Sequence, residues 1–521
     1  MILIAILSFA TSFIYALSLL SSQIVFGFDQ ARDAYEALSI YSDYHLKIMG
    51  PSSDVPGLNH GVLWYYVLAF AYFLGRGIPE NAALVILSAL YISVPFLAFL
   101  TFRITKNVLV TATAISLYVM SPLFISFTHW LSNPTLSLFI APILLYLLWT
   151  YLQKQTALIA ILIGLFYGLL IQSDFGFVIL LFVLPLYFYV FNLKFFTKKS
   201  LFFFLGLFIA TSTFFISYIK FQTNVVDIVI NFIFRHSSTN FPVTQVALSL
   251  IDNVIKFLNF TYIPLPQLLT FFILVALMYL KRKIIFQKRD KLIDLLLIWM
   301  AGILLIFIFN HGSLGAIFFY GPFIYPLALL FSIYLVKIAK DFRLLIGSLI
   351  VLLVFQFVTI NSWSNAGISP LSVQQGMTIN YEKQLVDYTY EAADGQPFVI
   401  VTITNPLFIN TTWSYLYEVY GKPKYGYLPY LWGKDQTGYL GNLPMQITLT
   451  SIKLRYLISE PTEGIDGLWA TKITYEEDKL SRILVEKKFG AFTVQKRQFD
   501  IGSDVIVTPE ALLKHPEVLN F

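Results

Sequence analysis

The opening stretch MILIAILSFATSFIYALSLLSSQIVFGFDQARDA, residues 1–34, decides how the rest of the chain is read. Residues 2–22 carry no charge and are long enough to cross a hydrocarbon core of roughly 30 Å as an α-helix. They lack the Lys/Arg start and small-residue cleavage pattern of a signal peptide, so they are expected to remain as a helix. Directly behind them, Phe28-Asp29-Gln30-Ala31-Arg32-Asp33-Ala34 puts two carboxylates four residues apart, on one face of a short helix. Like charges at that spacing repel, and Arg32, a cation or a hydrogen-bonding substrate must offset them. A carboxylate at a membrane boundary can take the proton of a hydroxyl acceptor. The plainer alternative is a solvated helix start with Asp29 paired to Arg32.

Outward from this segment the apolar pattern repeats. Further blocks lie near 82–102, 107–127, 134–152, 157–173, 175–193, 200–219, 264–280, 292–310, 318–337 and 344–363, which makes eleven. With 57% of the 521 residues hydrophobic and 12% charged, the bilayer must be the solvent. Residues 62–75 form a shorter aromatic block that suits an interfacial or re-entrant helix better than a span. If it does not cross, Arg103/Lys106, Lys154, Lys194/Lys198/Lys199, the run Lys281 to Lys291, and Lys337/Lys340/Arg343 all fall on one side. That charge placement predicts a multi-pass cell-membrane protein with its amino terminus cytoplasmic and its carboxy-terminal domain extracytoplasmic. The net charge of +6 is thereby read as topology, with no nucleic-acid partner. Cysteine is absent, so neither disulfides nor thiolate chemistry is available.

The expected architecture is mainly α: a helical bundle over 1–363 with two long outer loops, 23–81 and 220–263, followed by an α/β domain over 364–521. In that domain the patterns predict a helix near Tyr381–Ala393, a strand Phe398–Thr404, a helix near Leu407–Tyr420, a strand near Arg455–Ser459 and a hairpin turning at Gly490. Its aromatic run from Trp413 to Trp432 could stack on sugar rings, rest on the interface or simply pack a core.

The remaining candidates lie in the outer loops and turns. Gly50-Pro51 and Asn59-His60-Gly61 force turns, so the first loop is folded. His60 could touch a phosphate or a sugar hydroxyl, or be a structural hydrogen-bonder. Asn133 precedes Pro134 as a helix cap would, and Asp174 in Gln172-Ser173-Asp174-Phe175-Gly176 likewise caps the next helix. A carboxylate this deep in apolar sequence also invites a functional reading. Arg235, His236 and Lys256 lie in a loop with amphipathic spacing, where a basic group could hold a phosphate or snorkel to lipid headgroups. His311 and Tyr320 border the same face.

Taken together, Phe28 to Ala34, Gly50-Pro51 and His60-Gly61 before aromatics, Trp130 to Pro134, and Phe319-Tyr320-Gly321-Pro322 with Tyr325-Pro326 resemble the GT-C membrane glycosyltransferases. The nearest likeness is to the protein O-mannosyltransferases and aminoarabinose transferases that use polyprenyl-phosphate sugars, and it covers roughly residues 1–363. The resemblance implies inverting transfer from such a donor to a protein, lipid or glycan acceptor at the outer face, with Asp29 as the key acid. Gln30 stands where the mannosyltransferases have a glutamate, so the two-acid version is absent and whether Asp33 substitutes is open; the second family acid would fall near Asn133, an amide. No cofactor is required, and a divalent cation has no support in the sequence, because a phosphate leaving group departs easily once cations stabilise its charge. A transporter or lipid flippase is the competing class, although few charges lie within any span and paired broken helices are lacking. A non-catalytic scaffold is the third.

Overall fold

A computed structural model describes residues 1–53, 57–194, 197–222, 243–262, 290–309, 314–339, 341–372, 374–433, 440–441, 443–445, 452–461 and 463–500. These residues form two compact units. The first draws on Met1–Ser18, Ile40–Ala71 and Ala83–Trp363, the second on Leu19–Ser39, Tyr72–Ala82 and Ser364–Phe521. The second unit thus takes in two segments from the first 82 residues, where the sequence placed a boundary only at 363/364.

In chain order the helices are α1 Ile2–Leu19, α2 Phe28–Ser42, α3 Leu63–Leu74, α4 Pro79–Thr105, α5 Val108–Met120, α6 Pro122–Thr128, α7 Ser137–Gln153, α8 Ala157–Ser173, α9 Val183–Val190, α10 Lys198–Phe221, α11 Val243–Thr261, α12 Lys291–Phe309, α13 Gly321–Ile338 and α14 Phe342–Asn365. Six described helices are long and apolar enough to cross a membrane, seven if the bent pair α5–α6 is one span. The chain is a multi-pass membrane protein. Exposed Leu3, Leu7 and Ile14 on α1, Phe204, Phe208 and Ile219 on α10, and Val351, Val354 and Val358 on α14 form apolar surface of the kind lipid covers.

Several of the eleven expected spans are shorter or broken. The block 107–127 bends by 56° at Ser121-Pro122, because Pro122 starts a new helix that Ser121 caps. The block 175–193 is a 3₁₀ segment, Phe175–Phe182, running into the eight-residue α9. The block 264–280 lies outside the described residues. The aromatic stretch 62–75 is the twelve-residue α3, about 18 Å long.

Small residues set the closest helix packing in the first unit. A Cβ added at Gly164 would lie 1.9 Å from the Phe203 carbonyl oxygen, one at Gly206 2.0 Å from that of Ile161, and one at Gly168 2.4 Å from Ala210 Cβ. Gly164 and Gly168 on α8 therefore interlock with Gly206 and Ala210 on α10, each pair one helical turn apart, and no larger side chain fits.

The second unit holds a five-stranded sheet of order β2-β1-β3-β5-β4, with β1 Val399–Ile403, β2 Tyr430–Leu431, β3 Leu454–Ser459, β4 Ser481–Phe489 and β5 Phe492–Phe499. β1 runs parallel to both β2 and β3, while β5 is antiparallel to β3 and to β4. Around it lie α15 Ile379–Ala393, α16 Thr411–Leu416, α17 Lys422–Tyr425 and α18 Gly467–Leu480. Five consecutive buried residues make β1 a central strand, and Val399, Val401 and Ile403 pack with Trp432, Leu457 and Leu480. The segment 19–39 joins by pairing: Phe26 N–H donates to the Met377 carbonyl at 3.3 Å and Ile379 N–H to that of Ile24 at 3.0 Å. Trp413, Tyr415, Tyr417 and Trp432 are buried and form core, while Tyr420, Tyr425 and Tyr427 are half-buried and Tyr430 is exposed.

Two buried arginines brace the sheet. Arg455 donates bidentately to Glu477 on α18, Nε to Oε1 at 2.5 Å and Nη2 to Oε2 at 2.8 Å. Arg497 donates to Ser481 Oγ at 2.9 Å and pairs with Asp478.

Candidate functional site

Helix α2 opens the acidic cluster of the second unit. Its first turn is closed by Gln30, whose side-chain oxygen accepts the Gly27 N–H at 3.0 Å, so the residue beside Asp29 serves as a cap. Arg32 then bridges the two aspartates, with Nη1 at 2.8 Å from Asp29 and Nη2 at 2.8 Å from Asp33. The offset demanded by the four-residue spacing is therefore met within the helix. The aspartates differ in access: the Asp29 side chain is 62% exposed and that of Asp33 2%. One guanidinium between two carboxylates leaves a net negative cluster, the wrong sign for holding a phosphate by Arg32 alone.

In the first unit, the turn Gln172–Gly176 between α8 and the 3₁₀ segment gathers three of the remaining candidates. Asp174 caps as expected, accepting the Gly176 N–H at 2.8 Å. Asn133 is not the expected cap: it is the first residue of a 3₁₀ turn, Asn133–Leu136, and its Nδ2 donates to the Ser173 carbonyl at 2.6 Å. The Phe175 N–H donates to His60 Nδ1 at 3.2 Å, with Asp174 Oδ1 also 3.5 Å from that nitrogen. A nitrogen that accepts from Phe175 cannot donate to Asp174, and 3.5 Å is long for a hydrogen bond. The tautomer that fits carries its hydrogen on Nε2 and leaves Asp174 to the backbone.

His60 reaches this turn because its loop is a tight hairpin. Ser52 and Asn59 form a bridge, and His60 N–H donates to the Pro51 carbonyl at 2.8 Å. A Cβ on Gly50 would lie 2.2 Å from the Gly61 carbonyl oxygen, and one on Gly61 1.9 Å from Gln172 Oε1. The residue that organises the arrangement is Gln172, which had no assigned role. Its carbonyl accepts from Gly61 N–H at 3.1 Å, its Oε1 from Leu63 N–H at 3.4 Å, and its Nε2 donates to the Ala210 carbonyl and Thr213 Oγ1 at 2.8 and 2.6 Å.

The other candidates lie apart from these clusters. Tyr320 is buried, with its ring 4.8 Å from Phe257 on α11 and its hydroxyl donating to the Asn253 carbonyl at 3.4 Å. Lys256, also on α11, is partly exposed and pairs with Asp252 at 2.6 Å. Trp130 stacks on Phe318, the residue before the Phe319–Pro322 segment, at 5.0 Å. Neighbouring His129 is buried, with Nε2 2.8 Å from the Ala16 carbonyl oxygen and Nδ1 2.9 Å from that of Ile125, and ties α1 to α6. Arg235, His236 and His311 lie outside the described residues.

No protein-family model matches the sequence, and no curated protein matches it. Among solved structures the chain is similar to ArnT from Cupriavidus metallidurans bound to undecaprenyl phosphate, with 11% identity and a TM-score of 0.57 over 94% of this chain and 97% of that one. With its helical membrane unit and carboxy-terminal sheet, the chain has the GT-C fold.

Proposed function

We propose that this protein is an integral-membrane glycosyltransferase that moves a sugar from a polyprenyl-phosphate donor to an acceptor hydroxyl at the outer face of the membrane, with inversion. The observation that carries this reading is the likeness, along almost the whole of both chains, to a protein captured with undecaprenyl phosphate. The chemistry of the exposed acid supports it. The acceptor oxygen attacks the anomeric carbon and its proton passes to Asp29; the bond from that carbon to the phosphate oxygen breaks, and its electron pair leaves with the lipid phosphate. Arg32 and buried Asp33 hold Asp29 in place.

The phosphate is assigned to the basic groups of the 220–263 loop, Lys256 with Arg235 and His236. The partly exposed Lys256–Asp252 pair is worth about 0–1 kcal/mol, so the donor's phosphodiester anion, and still more the lipid phosphate that gains a second charge as the bond breaks, competes for it readily. His60 Nε2–H is assigned to a phosphate or sugar hydroxyl, with Asn133 and Asp174 positioning it.

The test is turnover by purified protein given radiolabelled polyprenyl-phosphate sugars. Release of the lipid phosphate is expected, falling about 10³-fold in Asp29→Asn with expression and membrane insertion unchanged. Normal turnover by that variant removes Asp29 from the role, and translocation of the donor without cleavage makes the protein a flippase.

A further inference from the structure

Outside the clusters above, the second unit contains a cleft of about 430 Å³. It opens at the carboxyl ends of two parallel strands, with Ile403 closing β1 and Ser459 closing β3, and α18 forms one wall. β1 lies between β2 and β3, so the chain leaves it towards one neighbour and later returns on its other side. In open α/β sheets, the crevice at such a reversal, beyond the carboxyl ends of the strands, is where ligands sit.

The groups lining it narrow the ligand class. Thr471 Oγ1 donates to the Gly467 carbonyl at 2.8 Å and Thr474 Oγ1 to that of Ala470 at 2.9 Å, so both hydroxyls have spent their hydrogens and offer lone pairs. Glu460 and Asp478 add carboxylates. Glu460 is buried and held by N–H donors, Trp413 Nε1 at 3.0 Å and the Asn405 amide at 2.9 Å. Among the described residues no Lys, Arg or His lines the cleft, and Arg497 and Lys479 beside it are already paired with Asp478 and Glu476, so an anion would meet acceptors without an uncommitted counter-charge. Among the described residues no group of three His, Asp or Glu is placed to hold a metal ion. The wall is therefore rich in acceptors, and its ligand must bring several donors without a negative charge. Hydroxyl groups on a ring do this. Tyr475, 59% exposed on the same wall, adds an aromatic surface for the C–H face of such a ring; Lys479 Nζ sits 4.1 Å from its centroid.

We propose that this cleft is a saccharide-binding site taking a neutral sugar unit of a glycan. The cleft stands without the transferase reading; only its identification with the acceptor or product glycan rests on that reading.

The test uses the full-length protein in lipid nanodiscs free of sugar-based detergent, titrated with maltotriose, chitotriose and mannotriose, and separately with spermidine and inorganic phosphate. At least one trisaccharide is expected to bind at millimolar concentration or below. Thr471→Trp, which places an indole in the cleft from an exposed helix position, should weaken that binding at least tenfold, and Tyr475→Ala should weaken it several-fold. Either variant that retains the wild-type melting profile gives a valid reading. Binding of no saccharide, equal binding by a folded Thr471→Trp, or binding of spermidine or phosphate alone overturns the proposal. Assaying sugar transfer on the same preparation separates the two readings: binding without transfer leaves the cleft standing and removes the transferase, and transfer without binding does the reverse.

Discussion

The two units solve the same problem, holding polar groups in fixed positions, by opposite means. Around Gln172 in the membrane unit the bonds run largely between side chains and backbone: Asn133 to a carbonyl, His60 and Asp174 to amides, Gln172 to both. In the second unit charged side chains meet one another: Arg455 with Glu477 and Arg497 with Asp478 at the sheet, and Arg32 with Asp29 and Asp33 on α2. The difference follows from the local backbone. At a turn between apolar helices an unpaired buried charge is costly, and backbone groups freed at helix ends are the available neutral partners. In the second unit, a buried charge can be tolerated if its partner is equally well placed.

The largest effect that would break the comparison is at the buried pair. Glu477→Ala leaves Arg455 buried and uncompensated, and should destabilise the second unit by about 3–5 kcal/mol. Urea unfolding followed by hydrogen exchange in residues 452–461 and 463–500 would measure this; a change below about 1 kcal/mol would show that the ion pair is not what braces the sheet.

Next comes acidity. Burial pushes the Glu460 carboxyl up to about 7 from the usual 4.5, against the opposing pull of its hydrogen bonds from Asn405, Gln374 and Trp413. Burial and like charges at Glu460 and Glu80 likewise hold Glu382, both of whose oxygens lack a hydrogen-bond partner, well above the carboxylate range. A folded state that keeps these protons more tightly than the unfolded chain has its full stability below about pH 4.5 and loses it as pH rises through 7, by about 3 kcal/mol for Glu460. Protease resistance of the second unit should fall between pH 5 and 8, and Glu382→Gln should flatten that fall. A profile that rises with pH contradicts the assignment.

Smaller again is Gly168→Val in the α8–α10 seam, where overpacking should cost about 1–3 kcal/mol and lower the melting temperature of the detergent-solubilised protein. An unchanged melting temperature would mean the helices can part. The smallest expected effect is at Gln172→Ala, about 1–2 kcal/mol from its lost hydrogen bonds, read as a lowered melting temperature of the detergent-solubilised protein.

What was legible in the sequence follows the range of the interaction. The Asp174 cap, the folded Gly50–Gly61 loop, the Arg32 pairing and the hairpin at Gly490 are local, and residue type announces each. Asn133 meeting Ser173 across forty positions, and Gln172 as the hub, are tertiary and leave no pattern in a single chain. α18 escaped notice because Thr471, Ile473 and Thr474 are β-branched, although Asp466 accepting the Leu468 N–H is a cap in plain view. β2, with two residues, is too short for alternation to register. The glycine pair on α8 was a readable signal for close helix contact.

That contact also limits how the lipid donor proposed above could arrive. Where backbone touches backbone at Gly164, Gly168 and Gly206, α8 and α10 behave as one double-width stave, and an isoprenoid tail gliding in from the leaflet has no slit between them. Its doorway must lie at a looser joint, so wedging experiments with cross-linkable lipids should mark other helices and spare this one seam.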